Sequence, residues 1–390
     1  MSVRLGLGIS VVWVPLAFLG DGLTTLILPS ALGEGTSATA LGLISFAGIG
    51  LGVLVQPLVG RLSDRMRDRV DRRTFMAAWL LPALAALALM AATDSIPLLA
   101  MAFLAAMLAG SSIQAAQQTL IPEHIPGRAR GRAASLKTAF DIGGAFFAFL
   151  VLGWVLESAG VPAAVAVTAG LLIAAVAILL VLVPAAPPLP GSVSSPPLLV
   201  PGGFWQLIIA RFLFLFGVYA VGRFLLLLVA DRLAVPAASA ATETGGLLAL
   251  FTLITAAAAL VLGRFIDQVR RRRVMAGGAL LAATGTSLFV PEGGLAGVVL
   301  AGTLMSIGTA AFASANWAAV TDLSPAVDSG RLLGLANFGT GGAAAVAGLL
   351  GPSIDLWGFT PALLFATLGM VASLVPLARP IRTARLEPTT

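Results

Sequence analysis

Four ionisable residues stand inside long apolar runs of this sequence: Asp21, Asp141, Arg211 and Arg223. A charge at the centre of a bilayer-crossing helix costs about 2.5–3.5 kcal/mol on insertion scales, so such residues normally face a cavity or a partner. Asp21, Thr24 and Thr25 share a helix face by i, i+3, i+4 spacing, and Tyr219 with Arg223 does the same. A carboxylate beside two hydroxyls can exchange a proton, hold a cation or bind a solute. Opposite Arg223 it can equally form a structural ion pair, and both readings stay open. Asp141 follows Lys137 by four residues, which favours a local salt bridge over a coupling role. Arg211 lies near a helix end from which its side chain can snorkel to the interface.

Amides form a second group. Ser111, Gln114 and Gln118 fall on one helix face with Gln117 beside them, a density too polar for lipid contact, so they are expected to line a cavity. Amides donate and accept, which suits neutral hydroxyl-rich solutes, although they can also satisfy one another between helices. Ser306, Thr309, Asn316 and Trp317 add a further polar stripe. Trp317 can stack on a sugar ring, with packing or interfacial anchoring as the commoner uses of such an indole.

Other chemistries are poorly served. The chain has one His, His124, and no Cys, so metal sites and the Ser/His or Cys/His nucleophile pairs lack their residues. Gly131-Arg132-Ala133-Ala134-Ser135-Leu136-Lys137-Thr138 is one residue from a phosphate-binding loop, but Leu136 fills the essential Gly position and the segment enters an apolar helix. Gly20-Asp21 carries Phe18 where an intramembrane aspartyl protease would need Gly. The expectation is a protein that is not an enzyme and uses no cofactor and no metal.

The elements that must position these residues follow from composition. Of 390 residues 58% are apolar and 10% are charged, far from the roughly 25% charged residues of soluble domains. About 20 apolar residues cross a bilayer as a helix. Twelve such runs are readable, at 5–31, 38–60, 75–92, 96–120, 134–156, 161–183, 204–230, 244–263, 274–290, 294–320, 332–353 and 359–378. The first continues to Leu28 without the short core and small-residue cleavage site of a signal peptide, so it is expected to span. With even-numbered connections and both termini on one side, every basic residue except Arg211, Arg223 and Arg232 falls on that side. Positive-inside bias then makes it the cytoplasm, in a plasma or inner membrane. A nucleic-acid partner is not needed to explain the charge of +6.

Residues 185–203 are rich in Pro, Gly and Ser, carry no charge, and read as a linker between 1–184 and 204–390. A repeat supports this division. Gly60-Arg61-Leu62-Ser63-Asp64-Arg65 after span 2 is echoed by Gly263-Arg264-Phe265-Ile266-Asp267-Gln268 after span 8, and Gly131-Arg132 before span 5 by Gly330-Arg331 before span 11. The offsets, 203 residues from Gly60 to Gly263 and 199 from Gly131 to Gly330, nearly agree. The fold expected is an all-α membrane protein of twelve transmembrane helices in two pseudo-symmetric six-helix bundles.

The Gly-x-x-x-Asp-Arg loop with its following Arg residues resembles the signature loop of the major facilitator superfamily. Gln56-Pro57-Leu58-Val59-Gly60-Arg61-Leu62-Ser63-Asp64-Arg65, continuing to Arg69 and Arg72-Arg73, is similar over about twenty residues to the sucrose transporters and the glycoside, pentoside and hexuronide symporter group. Asp71 stands where that group has Gly, Thr74-Phe75 where it has Arg-Pro, and span 4 lacks the sucrose transporters' carboxylate. The resemblance implies a secondary transporter of a small polar solute, with a sugar or glycoside as one candidate, working by alternating access with protons or sodium. It also implies a cytoplasmic latch of Gly60, Asp64, Arg65, Arg69, Arg72, Arg73, Gly263 and Asp267, in which Gly60 would permit close helix approach. Span 5 reads Gly143-Gly144-Ala145 rather than the Gly-Pro of drug antiporters, which favours symport or facilitation over efflux. An efflux antiporter and a non-transporting sensor or assembly partner are the alternatives. The expected partners are a small solute, the coupling ion and the bilayer, around a monomer.

Overall fold

A computed structural model describes residues 3–33, 37–66, 69–126, 129–185, 200–233, 237–263, 269–291, 293–323 and 329–378. All its regular elements are helical. In chain order they are α1 (Val3–Ser10), α2 (Trp13–Ala17), a π-helix (Phe18–Ile27), α3 (Leu28–Leu32), α4 (Ala38–Arg65), α5 (Arg72–Ala92), α6 (Ile96–His124) and α7 (Arg130–Leu182). Then follow α8 (Phe204–Leu233), α9 (Ala237–Gly263), α10 (Arg271–Ser287), α11 (Gly294–Asp322), α12 (Ser329–Ala347), a 3-10 turn (Gly348–Leu350), α13 (Gly351–Trp357), α14 (Phe359–Ala372) and α15 (Leu374–Ala378).

Each apolar run of the sequence is helical. Among the described residues nine helical stretches are long and apolar enough to cross a membrane. One of them, Arg132–Leu182, holds 51 residues and is too long for a single crossing at 1.5 Å per residue. It turns at Gly160, whose φ of 73° is open to Gly, with Pro162 following, so two crossings are joined without a loop. The largest departure from the expected boundaries is α9, which starts at Ala237 rather than residue 244. Thr242 and Glu243 interrupt the hydropathy there without interrupting the helix.

Packing divides the chain into two compact units. Unit 1 holds residues 1–194 and Leu225–Leu250; unit 2 holds Ser195–Phe224 and residues 251–390. The α8–α9 hairpin tip thus packs with the first unit, where Thr242 Oγ1 donates to the Gly153 carbonyl at 3.1 Å. Of the expected linker 185–203, residues 186–199 lie outside the described residues.

Unit 1 is built on an apolar cluster in which Ile9, Trp13 and Leu16 from the first span meet Ile113 and Leu120 of α6 and Leu172 and Leu179 of α7. Small residues let backbones approach: a Cβ on Gly144 of α7 would stand 2.8 Å from Val14 Cα of α2. In unit 2, α10 and α11 approach at Gly278 and Gly308, and Phe214 of α8 stacks on Phe312 of α11 at 3.9 Å. Outward faces remain apolar, with Leu81 at 73%, Val181 at 82% and Leu260 at 76% exposure, as lipid contact requires.

Candidate functional site

Unit 1 encloses a cavity of about 160 Å³ between the first span, α6 and α7. Its polar lining is Asp21, Ser111, Gln114 and Asp141; Trp13, Leu19 and Met107 supply the apolar walls. Asp21 sits in the π-helix Phe18–Ile27, flanked by Gly20 and Gly22. Widening the turn to i→i+5 displaces a helix's side-chain register, and such segments recur at functional sites. The Gly-Asp-Gly run is the local signal for it, since two glycines surrender little side-chain packing when the α-geometry is left. Asp21 itself is exposed on the cavity side while Leu19, Leu23 and Leu26 are buried.

The neighbouring hydroxyls behave differently from expectation. Thr24 Oγ1 donates to the Gly20 carbonyl at 2.6 Å and Thr25 Oγ1 to the Asp21 carbonyl at 2.6 Å. Both hydroxyls donate to carbonyls of their own helix, and neither residue is among those lining the cavity.

Asp141 makes the local salt bridge that its spacing from Lys137 favours. Lys137 Nζ reaches its Oδ2 at 3.1 Å, and Asp141 still lines the cavity. Lys137 also lies 3.7 Å from the centroid of the Trp13 ring, a cation–π contact that links α7 to α2. Trp13 was not singled out by sequence; the i+4 pair on α7 gives no clue to the ring that covers it.

The amides separate into three roles. Gln114 lines the cavity and its Oε1 accepts from Gln56 Nε2 at 2.8 Å, across α4 and α6. Gln117 is fully buried and its Nε2 donates to the Ile9 carbonyl, tying α6 to α1. Gln118 is exposed and lies outside the cavity lining. Of the three amides Gln114 alone lines the cavity: Gln117 is turned off that face, and Gln118, on the same face as Gln114, lies one helical turn, about 6 Å, further along α6.

In unit 2, Arg211 does not snorkel. Its Nε donates to Thr340 Oγ1 of α12 at 2.8 Å and its Nη1 to Asn316 Oδ1 of α11 at 3.3 Å. The guanidinium lies 5.0 Å from the centroid of Trp317, so that indole covers an arginine. Asn316 is buried, with Nδ2 donating to the Leu207 carbonyl at 3.0 Å. Tyr219 is half-buried and Arg223 buried on α8.

The two arginines that open α5 are held within unit 1. Arg72 is buried and pairs with Glu123 at 3.2 Å; Arg73 pairs with Asp71 at 2.5 Å and donates to the Val183 carbonyl. Arg65 and Arg69 are exposed. Among the described residues nothing lies within 4 Å of where a Cβ would stand on Gly60 or Gly263. The Asp64 side chain, and residues 264–268 with Asp267, lie outside the described residues.

The Major Facilitator Superfamily model matches residues 14–242 and again 207–389. No curated protein matches the chain significantly. Solved structures share the fold. A crystal structure of a peptide transporter, POT, is 15% identical with a TM-score of 0.77, over 96% of this chain and 93% of its own. A bacterial homolog of the human lysosomal transporter Spinster is 14% identical with a TM-score of 0.73, over 96% and 94%. The nucleoside transporter NupG is 13% identical with a TM-score of 0.74, over 96% and 98%. With a family match across both halves and a helical, multi-pass, apolar architecture to carry it, the chain belongs to the Major Facilitator Superfamily of membrane transporters.

Proposed function

We propose that this protein is a secondary active transporter that moves a small polar solute by alternating access of two bundles, 1–184 and 204–390, with Asp21 as the coupling carboxylate. The observation that carries this reading is the cavity of unit 1, which brings Asp21 and Asp141 together with Gln114 and Ser111 inside membrane-spanning helices. A carboxylate in such a cavity has a reason to be there that lipid-facing packing cannot supply. Such a carboxylate can exchange a proton or hold a small cation as the transporter changes state. Protons or sodium are the coupling ions this chemistry admits. The Gln56–Gln114 pair offers a donor and acceptor edge to hydroxyl groups, which supports a polyol-like solute. A sugar or glycoside as cargo rests further on the likeness of one loop to the sucrose transporters and their relatives. A plasma or inner membrane location with both termini cytoplasmic follows from the distribution of basic residues.

The test is flux in proteoliposomes with imposed proton or sodium gradients, over disaccharides, pentoses, hexuronides and cationic drugs. Accumulation against a gradient supports secondary transport. Binding without flux across the panel would favour a sensor instead.

A further inference from the structure

Arg211 is the seventh residue beyond the start of α8, about 10 Å along the helix axis, inside a stretch apolar enough to span. Its two hydrogen-bond acceptors, Thr340 Oγ1 and Asn316 Oδ1, are both neutral. No carboxylate among the described residues lies within 4 Å of it. That sets it apart from Arg72, Arg73, Lys137, Arg232 and Arg271, each of which has one. A guanidinium has five N–H donors. Nε and one Nη1 hydrogen are used, which leaves the terminal edge, both Nη2 hydrogens and the second Nη1 hydrogen, without an acceptor among the described residues.

The surroundings hold that edge in place. Asn316 is fixed by its own bond to the Leu207 carbonyl, so its oxygen is turned toward Arg211. Thr340 Oγ1 donates to the Ala336 carbonyl at 3.3 Å and so presents a lone pair to Nε. Gly339, where a Cβ would stand 2.9 Å from Ile208 Cγ2, brings α12 against α8 and sets Thr340 at bonding distance. Trp317 covers one face of the guanidinium and is itself 38% exposed, and Arg211 is only half-buried. The charge is therefore oriented, partly open, and without a carboxylate counter-ion among the described residues.

We propose that Arg211, oriented by Asn316 and Thr340 and covered by Trp317, is an anion-recognition site in unit 2, and that the transported solute carries a carboxylate or phosphate group. The inference rests on the transporter reading above and names its substrate class. A planar guanidinium edge takes a carboxylate or phosphate through two parallel hydrogen bonds, which a lysine cannot reproduce. An anionic lipid headgroup offers the same chemistry, and the experiment separates the two sources.

The full chain is placed in nanodiscs of phosphatidylcholine, with and without phosphatidylglycerol, and its melting temperature is titrated with glucuronate, inorganic phosphate and glucose. In phosphatidylcholine alone, glucuronate or phosphate should stabilise the wild type. Arg211→Gln should weaken that affinity at least tenfold, and Arg211→Lys, which keeps the charge and guards against a folding defect, should weaken it by several-fold. Glucose should be indifferent to both substitutions. Equal responses in wild type and Arg211→Gln, or no response to either anion, overturns the site. An Arg211-dependent stabilisation that appears only with phosphatidylglycerol assigns it to lipid and overturns the solute. The transporter reading fails separately: anion binding by wild type with no gradient-driven flux leaves the site standing and removes coupled transport.

Discussion

On the proposed reading, Gln114 is a side chain through which the cavity meets the solute. It lines the cavity while accepting from Gln56, so truncation removes a lining group and leaves a Gln56 donor to find another acceptor. Gln114→Ala should raise the KM for solute about three- to tenfold, matching a hydrogen bond of roughly 0.5–1.5 kcal/mol, with maximal exchange rate little changed. Solute-dependent initial rates check this, and an unchanged KM would take Gln114 out of the site. Arg72 and Glu123 make the structural counterpart, an ion pair with both side chains only 6% exposed. Glu123→Gln removes a carboxylate that buried Arg72 faces and should cost about 3 kcal/mol of stability, because breaking a buried ion pair from one side leaves a charge poorly compensated. Denaturant unfolding in detergent measures it; loss of less than 1 kcal/mol would make the pair a surface contact in effect.

At the level of helices, the close approach of α2 and α7 at Gly144 holds the cavity's wall. A Cβ there meets Val14 backbone at 2.8 Å, whereas Gly143 beside it has open space. Gly144→Ala should therefore destabilise by about 1–3 kcal/mol while Gly143→Ala is neutral or slightly stabilising. Thermal melts of the two variants compare them under identical conditions, and equal melting temperatures would contradict the packing. This contrast also shows what was legible in the sequence. Hydropathy averaged over about 20 residues located the helices with boundaries off by at most seven residues, at the start of α9, because lipid demands apolar side chains along the whole run. It could not tell Gly143 from Gly144, nor Gln114 from Gln117, since neighbours on a helix differ only in which partner they meet. The π-helix at Asp21 was hidden for a related reason: its glycines permit the wider turn, but tertiary packing selects it. Sequence alone lets Arg211 snorkel, because Thr340 lies 129 residues away and no local pattern announces that meeting.

On the proposed alternating-access reading, the two halves of the chain carry the transport cycle. Family membership accounts for the repeat of Gly60-Arg61-Leu62-Ser63-Asp64-Arg65 by the segment beginning at Gly263. On the proposed latch reading, Asp64→Asn and Asp267→Asn keep shape, remove charge, and should each lower flux at least tenfold while leaving expression and melting temperature near wild type. Flux unchanged in both would reduce the Arg loops to topology signals.

Coupling through Asp21 is tested by measuring solute accumulation and solute exchange in the same proteoliposomes, for wild type, Asp21→Asn, and Asp21→Asn with Arg223→Gln. If Asp21 couples the ion gradient to solute movement, Asp21→Asn abolishes gradient-driven accumulation, keeps exchange, and is not rescued by the second substitution. If Asp21 only pairs with Arg223, Asp21→Asn loses stability and the double variant recovers both stability and full accumulation, a result that would contradict the coupling role.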